Sequence, residues 1–373
     1  MIERPTTTMQ HRFNVLDSFR GLAAIFVVMF HLHFVGSITE LAFFRGSHLF
    51  VDFFFVLSGF VLAHGYGFNH TLKFKDFFIA RTFRIFPLHV FLLAIFIGFE
   101  LLKRIAQHYG FSFDYAPFTQ KNALDEIVPN LLLLQAWLPN AQTMSWNGPA
   151  WSISVEYYLY LLFFALLLVK DKWKYALWPI VAYAAFYVIW IDVKPGREVM
   201  SGLSCFFGGA SVYLVYRFLK NTPLSPIFFS MAEVLMIGAM GWMMSVNFGY
   251  QGVWASLLFC LVVFVFAFEK GVVSKLLNNA VFLKLGQLSY SIYLTHLLVI
   301  LCLIVSLKIV EKTSHLSLVF TQAGEKYINL GSPLFNNLAV LAVLMLVILI
   351  SNFTYQFVEL NGKKLGRKLS NIG

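Results

Sequence analysis

The sequence predicts an all-α, polytopic integral membrane protein of about ten transmembrane helices, and three observations carry that prediction. Hydrophobic residues make up 59% of the 373 and charged residues only 12%, where a water-soluble domain carries about 25% charged residues. Mean hydropathy is +0.74. Apolar runs of about 20 residues, the length that crosses a bilayer, recur from one end to the other and use up the chain. A soluble enzyme is excluded, no room is left for an appended soluble domain of ordinary size, and residues 1–373 read as one membrane domain. The formal charge of +10 would suggest nucleic acid in a soluble protein. Here it is an orientation signal, and no nucleic-acid partner is expected.

Runs long enough to span lie at about 19–36, 48–66, 85–102, 150–169, 175–191, 198–219, 227–246, 253–268, 287–307 and 338–358. The stretch 127–138 is short and bracketed by Pro129 and Pro139, which suits a half-helix or re-entrant segment. Residues 1–18 are polar, and the run that follows contains Arg20, His31 and His33 with no small-residue cleavage site, so it reads as a retained helix and not a signal peptide. With the N-terminus inside, 19 of the 28 Lys and Arg fall on the inner side, which makes 1–18 and the basic tail 359–373 cytoplasmic. The segment 270–284 alternates basic and apolar residues and is expected along the inner interface. Cys205, Cys260 and Cys302 each sit in an apolar run, which offers neither a disulfide framework nor a metal site.

Ionisable residues inside spans are costly and mark function. Arg20 and His31 are eleven residues apart, hence on one helical face and about 16 Å apart along the axis; His33, two residues further, points to the opposite side. Counting depth from the outer ends of their spans puts Asp52 and Glu156 in the layer of His31. A carboxylate beside an imidazole fixes its tautomer, which is what a general base needs to take a proton from a hydroxyl. Asp52 alternatively caps its helix or pairs with Arg45. On the inner edge Lys73, Lys75, Arg81 and Arg84 gather within twelve residues. Arg81 and Arg84 share a face if the third helix begins early, and two guanidiniums with Arg20 nearby make a polyphosphate clamp. A basic loop alone more often contacts lipid headgroups. The stretch 146–160 is dense in Trp, Tyr and Ser, and in it Trp151, Ser152 and Tyr157 are candidates to contact an acceptor, with interfacial anchoring the plainer reading. Ser289, Tyr293 and His296 fall on roughly one helical face, which helix-to-helix hydrogen bonding also explains.

These residues also carry a resemblance. FNVLDSFRGLAAIFVVMFHLHF from Phe13, with Arg20 and His31, resembles the first-helix signature of the membrane-bound acyltransferase 3 family. FVDFFFVLSGFVLAHGY from Phe50, ARTFRIFPLH from Ala80 with the RxxR pair Arg81 and Arg84, PAWSISVEYYLY from Pro149 and LGQLSYSIYLTH from Leu285 are similar to further family blocks, in family order over essentially the whole chain. The resemblance implies transfer of an acyl group, usually acetyl from cytoplasmic acetyl-CoA, to a hydroxyl that is most often on a carbohydrate. Acyl-CoA is then a co-substrate and no cofactor is bound permanently. The family's essential basic and His pair carries onto Arg20 and His31. Some members append an SGNH-type domain; its expected absence here implies a stand-alone enzyme or a separately encoded partner protein.

The combined expectation is an O-acyltransferase of a bacterial inner membrane. His31, oriented by Asp52 or Glu156, is the general base. Arg20, Arg81 and Arg84, with Lys73 and Lys75, hold acyl-CoA, and Trp151, Ser152 and Tyr157 meet a carbohydrate or glycolipid acceptor. Transfer is either direct or through an acyl-enzyme on Ser58 or Ser152. The alternatives are a secondary transporter with a His and carboxylate proton relay and a lipid-binding assembly protein.

Overall fold

The computed structural model describes residues 12–69, 71–111, 113–192, 196–314 and 316–370. In chain order these form α1 Asn14–His31, α2 Ala42–Arg45, α3 Phe50–Tyr66, α4 Phe74–His108, α5 Ile127–Leu131, α6 Ala150–Leu167, α7 Trp173–Trp190, α8 Arg197–Leu219, α9 Pro226–Ser245, α10 Gln251–Phe266, α11 Val272–Leu277 and α12 Ala280–Ser314. The hairpin β1 Val319–Gln322 and β2 Glu325–Ile328 precedes α13 Pro333–Thr354 and α14 Leu360–Leu369. Ten long helices stand where the ten spans were expected. Among the described residues eight segments are long and apolar enough to cross a bilayer. The other two long helices are α10, with 16 residues, and α7, whose Trp and Tyr residues lower its hydropathy. The stretch 127–138 holds only the five-residue α5 followed by turns.

The first helix is shifted from its expected bounds for a visible reason. The chain becomes extended at Leu32, because Phe34 forms a bridge with Ile328. Ile328 N donates to His33 O at 2.8 Å and Val35 N to Ile328 O at 3.0 Å. The antiparallel hairpin, paired Val319 to Ile328 through Gln322 to Glu325, thus ends α1 at His31 rather than near Gly36. This hairpin is the departure from an otherwise all-α fold.

The helix α4 starts at Phe74 and runs 35 residues through Pro87, so Arg81 and Arg84 do lie three apart on one helix. The expected tail from residue 359 is also helical. A π turn, Tyr355–Glu359, joins α13 to α14, and α14 lies on α4 with Gly362 against Pro87 and Gly366 against Phe83. Residues 1–11 of the expected N-terminal segment, Arg4 and Lys194 of the orientation count, and residues 371–373 lie outside the described residues. In the segment 270–284, α11 is held by Glu233, fully buried, which accepts from Gly271 N and Ser274 N at 2.9 Å each.

Two core regions flank α1. Its contact with α12 is close enough to need glycine on both helices: a Cβ on Gly21 would sit 2.5 Å from Gly286 N, and one on Gly286 would meet the Asp17 carbonyl. Small residues at helix crossings let backbones approach within a membrane, where hydrophobic burial gives no drive to associate. Gly286→Ala is therefore expected to lower the thermal midpoint of detergent-purified protein, since overpacking costs about 1–3 kcal/mol. Gly238→Ala, on α9 with nothing within 4 Å of its would-be Cβ, should leave it unchanged or slightly raised.

Candidate active site

A cavity opens among α1, α3, α4, α6 and α12, with an empty volume of about 840 Å³ that includes the part open to solvent. One wall is apolar and follows α3 from Val51 to Leu62, eleven residues or about 16 Å of helix. The charged wall carries Arg20, Arg81, Arg84 and Glu156. Three guanidiniums and one carboxylate in an apolar bundle demand partners, and most are visible. Arg20 Nε donates to Ser289 Oγ at 2.8 Å and Nη2 to Gly286 O at 3.1 Å, and Asp17 pairs with it at 3.1 Å. Arg81 donates to Tyr66 Oη at 2.9 Å and lies over the Tyr66 and Tyr160 rings at 5.2 and 5.8 Å. Glu156 Oε1 accepts from both Ser58 Oγ and Tyr160 Oη.

Arg84 differs. Among the described residues it makes no hydrogen bond and no ion pair; its charged neighbours are Glu359, Glu156 and Asp17 at longer range. Glu359, 3% exposed, ends the π turn and accepts from Ser291 Oγ at 3.0 Å and Lys363 Nζ at 2.5 Å. A π turn often marks a functional position, and here it brings a carboxylate near Arg84. Sequence reasoning missed Glu359 because it counted the span as ended there. It also missed Tyr160 and Asp17, although Tyr160 lies one turn from Glu156 and Asp17 three residues from Arg20, both same-face spacings.

His31 and its expected carboxylates are not brought together. Equal depth does not fix direction around a helix axis. Asp52 faces α8, where Ser201 Oγ donates to it at 2.6 Å, and Glu156 faces the arginines. Neither hydrogen-bonds His31 among the described contacts. His31 does share a face with Arg20, for both meet α12: Arg20 at Ser289, His31 at His296 with ring centroids 5.1 Å apart. His31 does not line the cavity. Tyr293, one turn before His296 on α12, does, and its hydroxyl meets Ser152 Oγ at 2.8 Å.

Of the acceptor candidates, Ser152 lines the cavity. Trp151 packs edge-on to Phe55, and Tyr157 Oη bonds Thr82 Oγ1 at 3.0 Å on another face of α6. Lys73 and Lys75 are exposed at the start of α4, eight and six residues before Arg81, and do not line the cavity. Among the described residues no cluster of metal-ligating side chains occurs.

Beyond the end of α1, Arg45 binds the loop together. It donates to Met29 O, Leu32 O and Thr39 O at 3.1, 2.7 and 2.7 Å, satisfying carbonyls that a helix end leaves open. Its Nη1 lies 2.7 Å from His33 Nδ1, a contact that requires His33 to be neutral and to accept.

The family described as "Acyltransferase domain" matches residues 13–356. The chain belongs to the acyltransferase 3 family. It is accordingly a membrane acyltransferase. It is 34% identical over 155 residues to "Protein 2 in picA locus" of Rhizobium radiobacter, a match covering 39% of this chain and 77% of that one. It is 36% identical over 120 residues to acyltransferase MdmB of Streptomyces mycarofaciens, covering 30% of this chain and 26% of that protein. A third match, 23% identical over 237 residues, is to the peptidoglycan O-acetyltransferase OatA of Listeria monocytogenes and covers 57% of this chain and 35% of that protein. The second and third matches thus take in only about a quarter and a third of those relatives. No solved structure matches the chain.

Burial, and then the Arg45 guanidinium, lower His33 from its usual value near 6.5 to about 4. A group whose folded value is depressed contributes stability that is complete above its unfolded value and lost as pH falls through the folded one. Wild-type thermal stability should therefore decline as pH drops from about 6.5 toward 4, and His33→Asn should flatten that decline. An equal slope in both proteins would show that the Arg45 contact does not depend on neutral His33.

Proposed function

We propose that the protein transfers an acyl group, most simply acetyl, from cytoplasmic acyl-CoA to a hydroxyl on a carbohydrate or glycolipid acceptor outside the cytoplasm. The observation that carries this reading is Arg84, a guanidinium in a cavity with no hydrogen bond or ion pair among the described residues. A cation so placed is prepared for an anion, and Arg20 and Arg81 beside it supply further donors of the planar kind that phosphate oxygens take in pairs. Lys73 and Lys75 sit along the approach and raise the local concentration of an anionic donor. The apolar wall along α3 suits an extended, uncharged thioester arm.

In this reading His31 is the general base at the far end of α1, and Glu156, held by Ser58 and Tyr160, is the counter-charge of the arginines rather than the partner of the imidazole. The hydroxyl loses its proton to His31 as its oxygen attacks the thioester carbon. The C–O bond forms, the C–S bond breaks, and CoA leaves as a thiolate that water or the imidazolium reprotonates. Ser58 and Ser152 in the cavity leave a route through an acyl-enzyme open to the same machinery. The donor side is cytoplasmic by the asymmetry of Lys and Arg, which puts both termini on that side of an inner membrane. The acetyl group and the sugar hydroxyl rest on the family resemblance and on the name of the Listeria relative.

Binding of CoA measured by calorimetry tests the clamp. Arg84→Lys keeps the charge but loses the planar fork and should weaken CoA by about 1.5–3 kcal/mol, roughly 10- to 150-fold, the range for hydrogen bonds to charged groups. Unchanged CoA affinity in both Arg81→Ala and Arg84→Ala would remove the clamp. The orientation has its own check. A single cysteine at position 172 in a cysteine-free background should be protected from an impermeant reagent added outside, and efficient labelling there would invert the proposed sidedness.

A further inference from the structure

His296 lies on α12 with no solvent exposure. Its Nδ1 is 3.3 Å from the Ile292 carbonyl one turn back, and its Nε2 is buried without a hydrogen-bond partner. A carbonyl can only accept, so Nδ1 carries the proton and Nε2 presents a bare lone pair. An unpaired buried polar atom costs about 1–3 kcal/mol, and each one in a folded protein calls for an explanation. The ring that faces this one is the half-buried imidazole of His31, with centroids 5.1 Å apart and planes tilted by 32°.

That separation is informative. An in-plane N–H···N bond of about 2.9 Å between two imidazoles places their centroids roughly 5 Å apart, because each nitrogen stands about 1.1 Å from its ring centre. The spacing already fits such a bond. Rotation of the rings is the motion that would bring two nitrogens into line, and that torsion is soft in histidine. Hydrogen bonds of a catalytic group commonly tighten only when substrate is bound. On the other side of His296, the Tyr293 ring lies 6.0 Å away, with its hydroxyl fixed by Ser152 and by the Pro149 carbonyl at 3.2 Å. Tyr293 is thereby anchored to the start of α6, and His31 is the imidazole that stands next to the unpaired Nε2 of His296.

We propose that His296 is the positioning residue of His31: its bare Nε2 accepts the N–H of His31 and fixes the tautomer whose other nitrogen is free to take the acceptor's proton. The inference rests on the reading of His31 as general base. It replaces the carboxylates Asp52 and Glu156, which point elsewhere, with a neutral partner. No net charge then has to be buried at the end of α1, where Arg45 already brings one.

The test compares turnover of acetyl-CoA, followed as release of the CoA thiol by purified protein in detergent, among wild type, His31→Ala, His296→Leu and His296→Gln. Leucine keeps the bulk and removes the acceptor, whereas the glutamine carbonyl oxygen reaches about as far as Nε2. His296→Leu is expected to lower kcat by about 10- to 100-fold with KM for acetyl-CoA unchanged, His296→Gln to recover most of that loss, and the double variant His31→Ala, His296→Leu to be no slower than His31→Ala alone, the non-additivity of groups that act as a unit. Wild-type kcat in His296→Leu, or equal losses in the leucine and glutamine variants together with a lowered thermal midpoint, would overturn the proposal and leave His31 as base. Wild-type kcat in His31→Ala would instead overturn the reading beneath it.

Discussion

An arginine inside a lipid-embedded bundle is costly unless its donors are taken up, and that constraint bears on how α1, α4, α6 and α12 meet. Arg20 reaches Ser289 and Gly286 on α12 because Gly21 and Gly286 let the two backbones touch. Arg81 is held by Tyr66 of α3 and the Tyr160 ring of α6, and Glu156 on the same face of α6 supplies a negative charge to the group. Desolvating an ion costs several kcal/mol even after relaxation, so misplacing any of these helices would strand a charge. The ionic cavity is in this sense a register pin for the bundle. Arg84 is the member left over, and its lack of a partner is what the proposed binding of an anion rests on.

The irregular chain between helices is ordered by different chemistry. The connection between α4 and α6 is folded by buried carboxylates: Glu100 accepts from Phe118 N and Asn122 Nδ2 at 2.9 and 2.7 Å, and Glu126 from Gln142 N and Ser145 Oγ at 2.8 and 2.9 Å. His89 reaches the same loop through the Asn130 carbonyl at 2.8 Å. These acids satisfy backbone and side-chain donors of irregular chain at the bundle's edge.

Hydropathy made the ten long helices legible, since run length and composition are one-dimensional quantities. The pairing of Arg20 with His31 on one face and of Arg81 with Arg84 was legible too, because spacing within one helix converts directly to angle. What the sequence could not supply is azimuth between helices. Asp52 and Glu156 share a depth with one another by counting, yet Asp52 bonds Ser201 of α8 and Glu156 bonds Ser58 of α3 and Tyr160 of its own helix, and neither reaches His31. The end of α1 was misplaced for a similar reason. Residues 32–36 are apolar enough to continue a helix, but the hairpin more than 280 residues later competes for the backbone of Phe34, and no local signal announces that partner. Glu359 was hidden by a change in helical phase that leaves no mark on hydropathy.

That change of phase has a consequence of its own. The π turn Tyr355–Glu359 inserts extra backbone into what is otherwise one continuous rod, and everything after it is rotated relative to α13. Removing one residue from the turn would alter neither composition nor hydropathy by a noticeable amount, yet it would swing α14 by about 100° and carry the glycine face of Gly362 and Gly366 off Pro87 and Phe83. Glu359 and Lys363, an i, i+4 pair, would turn together, and Glu359 would leave Ser291 on α12 in the same movement. This stretch should therefore tolerate many substitutions while refusing insertions and deletions, a pattern of constraint on length rather than on chemistry. The C-terminal helix is indexed to the cavity in the way a keyed shaft is indexed to its gear.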